Sequence, residues 1–249
     1  MPDTPRIEIG ILAFPNVQQL DLTGPYEVLA SWPGARVRLI GKTLDPLLSS
    51  TKLSLNPDST FADCGQLDVI CVPGGAGINP LLVDDETLAF LRRQAEGARF
   101  ITSVCTGALL LGAAGLLIGK RATTHWASHD LLARLGAIPV RERYVRDGRL
   151  MTGGGVTAGI DFGLALIAEL AGDATAEAIQ LAYRFSGVVP AVLASASLRL
   201  DPDCVRLEVS PAARAPDSEV VVDRLRFLAT AAGVKRTEIV VRDDLSTKR

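Results

Sequence analysis

Apolar positions along the chain fall into short extended runs separated by helical stripes. Arg6 to Phe14 alternates and then turns apolar through Ile7, Ile9, Ile11 and Leu12, which predicts a first strand ended by Pro15 and Asn16. Thr23 or Gly24 can cap the helix that follows, with Pro25 in its first turn. Asp21 then falls between the strand's carboxyl end and the helix start. Arg36 to Ile40 predicts a second strand, and the alternation from Ser49 to Leu55 an edge strand or hairpin arm. Leu67 to Pro73 reads as a fully buried strand running into a glycine loop, Gly74 to Gly77. Asp84 or Asp85 caps a helix through Gly97, with Leu88, Phe90 and Leu91 available for its buried face.

The same rhythm continues. Phe100 to Val104 is strand-like and Ala108 to Ala114 is small, apolar and helix-forming. A glycine-broken connector, Leu116 to Thr124, leads to a short helix that Ser128 caps and Gly136 stops. Arg143 to Thr152 predicts a hairpin around Asp147-Gly148, and Val156 to Ala171 a helix apolar nearly all round, hence deeply buried. Asp173 opens another helix through about Phe185. Strands alternating with helices predict an α/β domain, a parallel sheet covered by helices on both faces. Beyond that point the character changes. Val188 to Leu200 is apolar without a period, Cys204 to Val209 alternates, Ser218 to Ala232 suits a helix and Glu238 to Val241 a strand. The expected division is an α/β domain over 1–186 and a divergent tail of uncertain structure over 187–249.

One junction concentrates the chemistry. Between Val104 and Ala108 no loop separates strand from helix, so Cys105 must sit on the turn itself. That places a nucleophile at the carboxyl end of a strand, where open α/β sheets hold their sites. It also places it beside a helix N-terminus, which is expected to favour the thiolate. An isolated cysteine is more often buried and inert; the strand–Cys–Thr–Gly–helix context argues for function. Asp21 lies on the same sheet edge, although it also suits a plain helix cap.

Composition narrows the possibilities. With 249 residues, 48% of them hydrophobic, the chain can bury a substantial core, and its formal charge of −2 gives no electrostatic reason to expect nucleic acid. Cys64, Cys71, Cys105 and Cys204 form no CxxC pair, so neither a disulfide framework nor a zinc site is expected and a reducing cytoplasm suits the chain. No His/Asp/Glu cluster has ligand spacing and no nucleotide fingerprint appears, so neither metal nor cofactor is expected. The Gly74–Gly77 loop lacks the Lys-Ser/Thr of a phosphate loop. Met-Pro-Asp-Thr-Pro-Arg lacks the apolar run of a signal peptide, and no run of ~20 apolar residues predicts a membrane span.

Five segments together resemble one superfamily. They are Asp21-Leu-Thr-Gly-Pro25, Pro73-Gly-Gly-Ala-Gly77, Ser103-Val-Cys-Thr-Gly107, Ala122-Thr-Thr-His-Trp126 and Thr152-Gly-Gly-Gly-Val-Thr-Ala-Gly-Ile-Asp161. They resemble the ThiJ/PfpI superfamily over roughly residues 6–185 and, within it, the isonitrile (isocyanide) hydratases. The resemblance implies the class I glutamine-amidotransferase-like, flavodoxin-like α/β sandwich and a homodimer. It implies an isonitrile as the small-molecule substrate, with Cys105 as nucleophile, Asp21 as general acid/base and Thr106 orienting the thiol and the bound intermediate. Backbone N–H groups of Gly75, Ala76, Gly77 and Thr106 would steady developing charge. His125 stands as a pocket-wall residue, and His129 as a surface or helix residue. A second likeness is to the sensor domain of AraC-type regulators, in which the same cysteine serves small-molecule or redox sensing. The ~60 residues after that domain are too few, and not basic enough, for two helix-turn-helix units.

The tail departs from the hydratase pattern, in which a Pro-Pro-Phe segment precedes a last helix rich in Gln, Arg and Ala. Ser186 to Ala194 stands in that place. Two readings stay open: a coding frame that slipped between about Leu181 and Gly187, or a real strand–helix–strand appendage.

Overall fold

A computed structural model describes residues 6–184, together with the backbone of strands at 196–201, 204–209 and 236–241. In chain order the elements are β1 (Ile7–Leu12), α1 (Gln19–Ala30), β2 (Ala35–Gly41), β3 (Leu47–Leu48), β4 (Ser54–Leu55), β5 (Ser59–Thr60) and β6 (Val69–Val72). Then come α2 (Ile78–Leu81), α3 (Asp85–Gly97), β7 (Phe100–Val104), α4 (Gly107–Ala113), β8 (Arg121–Ala122), a 3₁₀ turn (Trp126–Ser128) and α5 (His129–Arg134). The chain continues through β9 (Ile138–Pro139), β10 (Tyr144–Asp147), β11 (Leu150–Gly153), α6 (Ala158–Ala171) and α7 (Asp173–Arg184) to β12 (Ala196–Asp201), β13 (Cys204–Val209) and β14 (Arg236–Val241). It divides into two compact units, Met1–Glu177 and Ala178–Arg249.

Seven strands form the main sheet in the order β10-β11-β7-β6-β1-β2-β5. All neighbours run parallel except β10 and β11, the hairpin expected around Asp147-Gly148. Strands in the middle of such a sheet are covered on both faces and must be apolar on both. Accordingly Val69 to Val72 are all fully buried, as are Ile9 and Ile11. The predicted parallel α/β architecture is therefore the observed one. Of Ser49–Leu55, expected as an edge strand or hairpin arm, only Ser54–Leu55 is strand; it pairs as β4 with β3, and residues 49–53 connect the two, while the main sheet ends at β5, too short at two residues to show a period.

Two helices differ from expectation in ways that matter for the site. α1 begins at Gln19, not at Thr23 or Gly24, so Asp21 lies inside its first turn and Pro25 inside the helix. Thr23 bonds back to the Gln19 carbonyl at 3.0 Å instead of capping. α6 buries one stripe (Ala158, Gly159, Phe162, Gly163, Leu166 and Ile167), not its whole circumference. Ile160 is 41% exposed. A β-carbon on Gly159 would lie 3.0 Å from the Pro25 ring and one on Gly163 3.1 Å from Val28, so bare backbone lets α6 press against α1. That contact fixes the helix that carries Asp21.

In the second unit, β12 pairs antiparallel with β13, and β13 parallel with β14. The alternations read at Cys204–Val209 and Glu238–Val241 are thus strands. The helix expected over Ser218–Ala232 and the Leu181–Gly187 junction lie wholly or partly outside the described residues.

Candidate active site

β7 ends at Val104 and α4 starts at Gly107, leaving Cys105 and Thr106 as the entire connection. So sharp a reversal needs a left-handed residue, and Cys105 supplies it at φ +56°, an uncommon conformation for a side chain other than glycine. The Cys105 N–H donates to the Gly153 carbonyl at 3.0 Å, and its carbonyl accepts the Thr124 hydroxyl at 2.8 Å. Gly107 is required by close approach, because a β-carbon there would stand 2.0 Å from the Val72 carbonyl oxygen. The geometry is that of a nucleophile elbow, with cysteine in the serine's usual place.

Asp21 comes to the same point from α1. It is completely buried, and its carboxylate oxygens make no hydrogen bond of full geometry among the described residues. The Cys105 thiol and the Gly74 N–H nonetheless lie close enough to pull its pKa down. Burial outweighs them and raises it from 3.8 to about 6. The Cys105 thiol is pushed up to about 12, first by burial, then by the Asp21 charge and the hydrogen bond to it; the Thr106 N–H and hydroxyl pull the other way. The sequence led us to expect a helix N-terminus that favours the thiolate. Those donors are present, but desolvation and a neighbouring carboxylate overrule them, so the resting sulfur keeps its proton.

The glycine loop packs behind the elbow. Gly75 N–H donates to the Thr106 hydroxyl at 3.0 Å, and Gly77 N–H to the Asn16 carbonyl at 3.2 Å. Both are therefore engaged within the protein, and Ala76 is exposed. Gly74 N–H lies toward Asp21 and Thr106 N–H toward Cys105. The loop's glycines serve close packing, since a β-carbon on Gly77 would meet the Pro15 carbonyl oxygen at 2.0 Å.

His125 lies near the thiol, with Gly155 between them. A β-carbon on Gly155 would lie 2.9 Å from His125 Cδ2 and 3.1 Å from Cys105 Sγ, so imidazole and thiol flank one glycine. The His125 Nδ1 accepts the Ala127 N–H at 3.4 Å, and its ring tilts against Trp126, which is 80% exposed. His129, expected at the surface or in a helix, does open α5 but is buried, its Nε2 3.0 Å from the Val140 carbonyl. An imidazole there finds its partner at a β-edge carbonyl eleven residues on, a contact with no local signal. Cys71 is buried mid-strand with its thiol pushed up to about 12, chiefly by burial. Cys64 is buried as well. Two residues that touch the elbow escaped the sequence reading, Thr124 and Gly155. Both lie in motifs that the sequence marks, Thr124 beside His125 and Gly155 as the last of the triple glycine, but neither was assigned a role at the thiol.

A profile for the DJ-1/PfpI family matches residues 8–169, and the chain belongs to that family. An isonitrile hydratase from Pseudomonas putida is 63% identical over 184 residues, 74% of this chain and 81% of that one. The crystal structure of a ThiJ/PfpI family protein from Pseudomonas syringae superposes with a TM-score of 0.71 at 34% identity, covering 100% of this chain and 98% of that one. The HTH-type transcriptional regulator CdhR from Pseudomonas aeruginosa is 32% identical over 145 residues, 56% of this chain but only 41% of the regulator.

Proposed function

We propose that this chain is an isonitrile hydratase, a hydro-lyase that adds water to an isonitrile and releases an N-substituted formamide. The observation that carries the reading is the 63% identity to the Pseudomonas putida enzyme over most of both chains. The buried Asp21–Cys105 pair supplies a chemistry that fits it.

The terminal carbon of an isonitrile accepts a nucleophile only as it also accepts a proton. A thiol that keeps its proton, beside a carboxylate that can take it, suits that requirement. As Sγ bonds to the terminal carbon, Asp21 takes the thiol proton and delivers it to the same carbon. The net step adds S–H across that carbon and gives a thioimidate on Cys105. Asp21 then takes a proton from water as the water oxygen attacks the thioimidate carbon, and delivers it to the nitrogen. As the tetrahedral adduct breaks its C–S bond, Asp21 passes the adduct's hydroxyl proton to the sulfur, releasing the formamide and the free thiol. Gly74 and Thr106 N–H groups hold the carboxyl and the sulfur through these transfers. Thr106, tied to Gly75, keeps its hydroxyl beside the sulfur.

Among the described residues no helix is long and apolar enough to cross a membrane. We place the enzyme in the cytoplasm, as a homodimer that takes a small molecule and no nucleic acid. Purified protein mixed with an alkyl and an aryl isonitrile tests the proposal. Formamide accumulation dependent on Cys105 supports it. Unchanged isonitrile with both compounds overturns it in favour of a small-molecule or redox sensor.

A further inference from the structure

We propose that Thr124 is the positioning residue of the reaction: its hydroxyl holds the Cys105 elbow in its left-handed conformation and so aims the sulfur at Asp21. The inference rests on the hydratase reading for its rate predictions but on geometry for its substance.

The direction of the Cα–Cβ bond follows from the backbone. At φ +56° the Cys105 side chain projects toward Asp21 and Gly155. A relaxation of φ to the right-handed region would swing it elsewhere, and a left-handed cysteine favours that relaxation by about 1–2 kcal/mol. Something must hold the turn. On the amino side the Cys105 N–H is held by two carbonyls, that of Gly153 at the end of β11 at 3.0 Å and that of Gly154 in the loop after it at 2.5 Å. On the carboxyl side the helix offers little, because Ala108 N–H reaches the Cys105 carbonyl only at 3.4 Å. The close partner is the Thr124 hydroxyl at 2.8 Å, on a side chain 2% exposed.

Thr124 is itself placed. Its neighbour Thr123 is bound from both ends, its N–H to the Thr152 hydroxyl at 2.9 Å and its own hydroxyl to the Glu142 carbonyl at 3.1 Å. The segment Ala122-Thr-Thr-His-Trp126 therefore serves the thiol through its second threonine. A donor so buried has no water to replace it, so its loss leaves the Cys105 carbonyl short of a partner and the turn free to move.

Thr124→Val keeps the shape and removes the donor, whereas Thr124→Ser keeps the donor and removes a methyl. With an alkyl isonitrile, and rates normalised to folded protein, Thr124→Val is expected to lower kcat about 10–100-fold with KM within about 3-fold, while Thr124→Ser stays within about 3-fold of the parent. Alkylation of Cys105 by iodoacetamide, followed on its own peptide by mass spectrometry, is expected to slow about 5-fold or more in the valine variant only. Parental kcat and alkylation in Thr124→Val would overturn the proposal, as would a serine variant as impaired as the valine one. Should the valine variant not fold, the serine variant decides by the same criterion. Should the parent yield no formamide, the hydratase reading falls, and the alkylation comparison still judges Thr124.

Discussion

Asp21 and Cys105 meet in a buried site where the same contact acts in opposite senses on their protons. The thiol's hydrogen bond draws the Asp21 pKa down against burial, while the carboxylate's charge adds to burial in driving the Cys105 pKa up. The resting pair at neutral pH is thus a carboxylate beside a protonated thiol. That is a poor arrangement for a free thiolate nucleophile. It is a good one for adding S–H across a single carbon, where a proton must arrive as the sulfur does.

Replacement of Cys105 by alanine is expected to abolish formamide production while leaving the circular dichroism spectrum and the melting temperature close to those of the parent. Alanine accepts the left-handed backbone no worse than cysteine, and the Gly153 and Thr124 bonds involve only backbone atoms of residue 105. An active, well-folded alanine variant would remove the thioimidate mechanism.

Asp21→Asn is expected to reduce kcat/KM by about 10²–10⁴, the range for loss of a positioned acid/base, and His125→Ala by less than about 10-fold. The contrast follows from their surroundings: Asp21 touches the thiol, whereas the His125 Nδ1 faces Ala127 and its ring lies against exposed Trp126. If steady-state kinetics reverse that order, the proton carrier is the imidazole.

The raised Asp21 pKa makes two pH predictions. The proposed mechanism uses the carboxylate, so kcat/KM should fall with acid along a limb centred near 6 that is missing from Asp21→Asn. Stability moves the other way. The native state binds this proton more tightly than the unfolded chain, whose carboxyl titrates near 3.8, so the group's stabilising effect is complete below 3.8 and lost as pH rises through about 6. Asparagine cannot ionise and escapes the loss. Denaturant unfolding should find Asp21→Asn more stable than the parent at pH 7.5, by up to about 3 kcal/mol, with the difference gone by pH 4. A variant less stable at pH 7.5 would mean that the carboxylate is better satisfied than its burial implies.

Gly155 packs close beside the sulfur. A methyl there meets both His125 Cδ2 and Cys105 Sγ inside ordinary contact distance. Gly155→Ala is expected to cut kcat/KM about 10-fold or more through displacement of the thiol or imidazole. An unchanged rate, with the residue folded in place, would show that the loop yields without disturbing the thiol.

The fold was legible because its strands carry their burial in their composition: Val69 to Val72 is apolar on both faces, and the hairpin in Arg143 to Thr152 is marked by Gly148, although the turn is Gly148-Arg149, one residue on from the Asp147-Gly148 expected. Cys105 was legible because a strand and a helix with nothing between them leave one place for it. What sequence could not supply is charge in context. The helix start beside Cys105 signals a lowered thiol pKa, and only the arrival of Asp21 and the exclusion of water reverse the sign. Asp21 was placed on the right edge but in the wrong local element, because Thr23-Gly24-Pro25 is a good start signal that the packing of α6 on α1 overrides. Thr124 was hidden because its partner is a backbone carbonyl, which leaves no mark in sequence.

The tail offers the last test. In the β12–β13–β14 sheet the register aligns Leu198 with Leu207 and Ile239, and Ala196 with Val209 and Val241. The alternate rows align Arg199 with Arg206 and Glu238, and Asp201 with Cys204 and Arg236. Residues of apolar type thus share one set of alternate register positions, and those of charged type mainly the other, a period of two. The native-appendage reading predicts that the amides of the central strand, Val205 to Glu208, exchange slowly because β13 is paired on both edges. Hydrogen exchange read by mass spectrometry on the full chain checks this. Complete exchange of 204–209 at the earliest time point would return the tail to the slipped-frame reading, which sequencing of the gene would then decide.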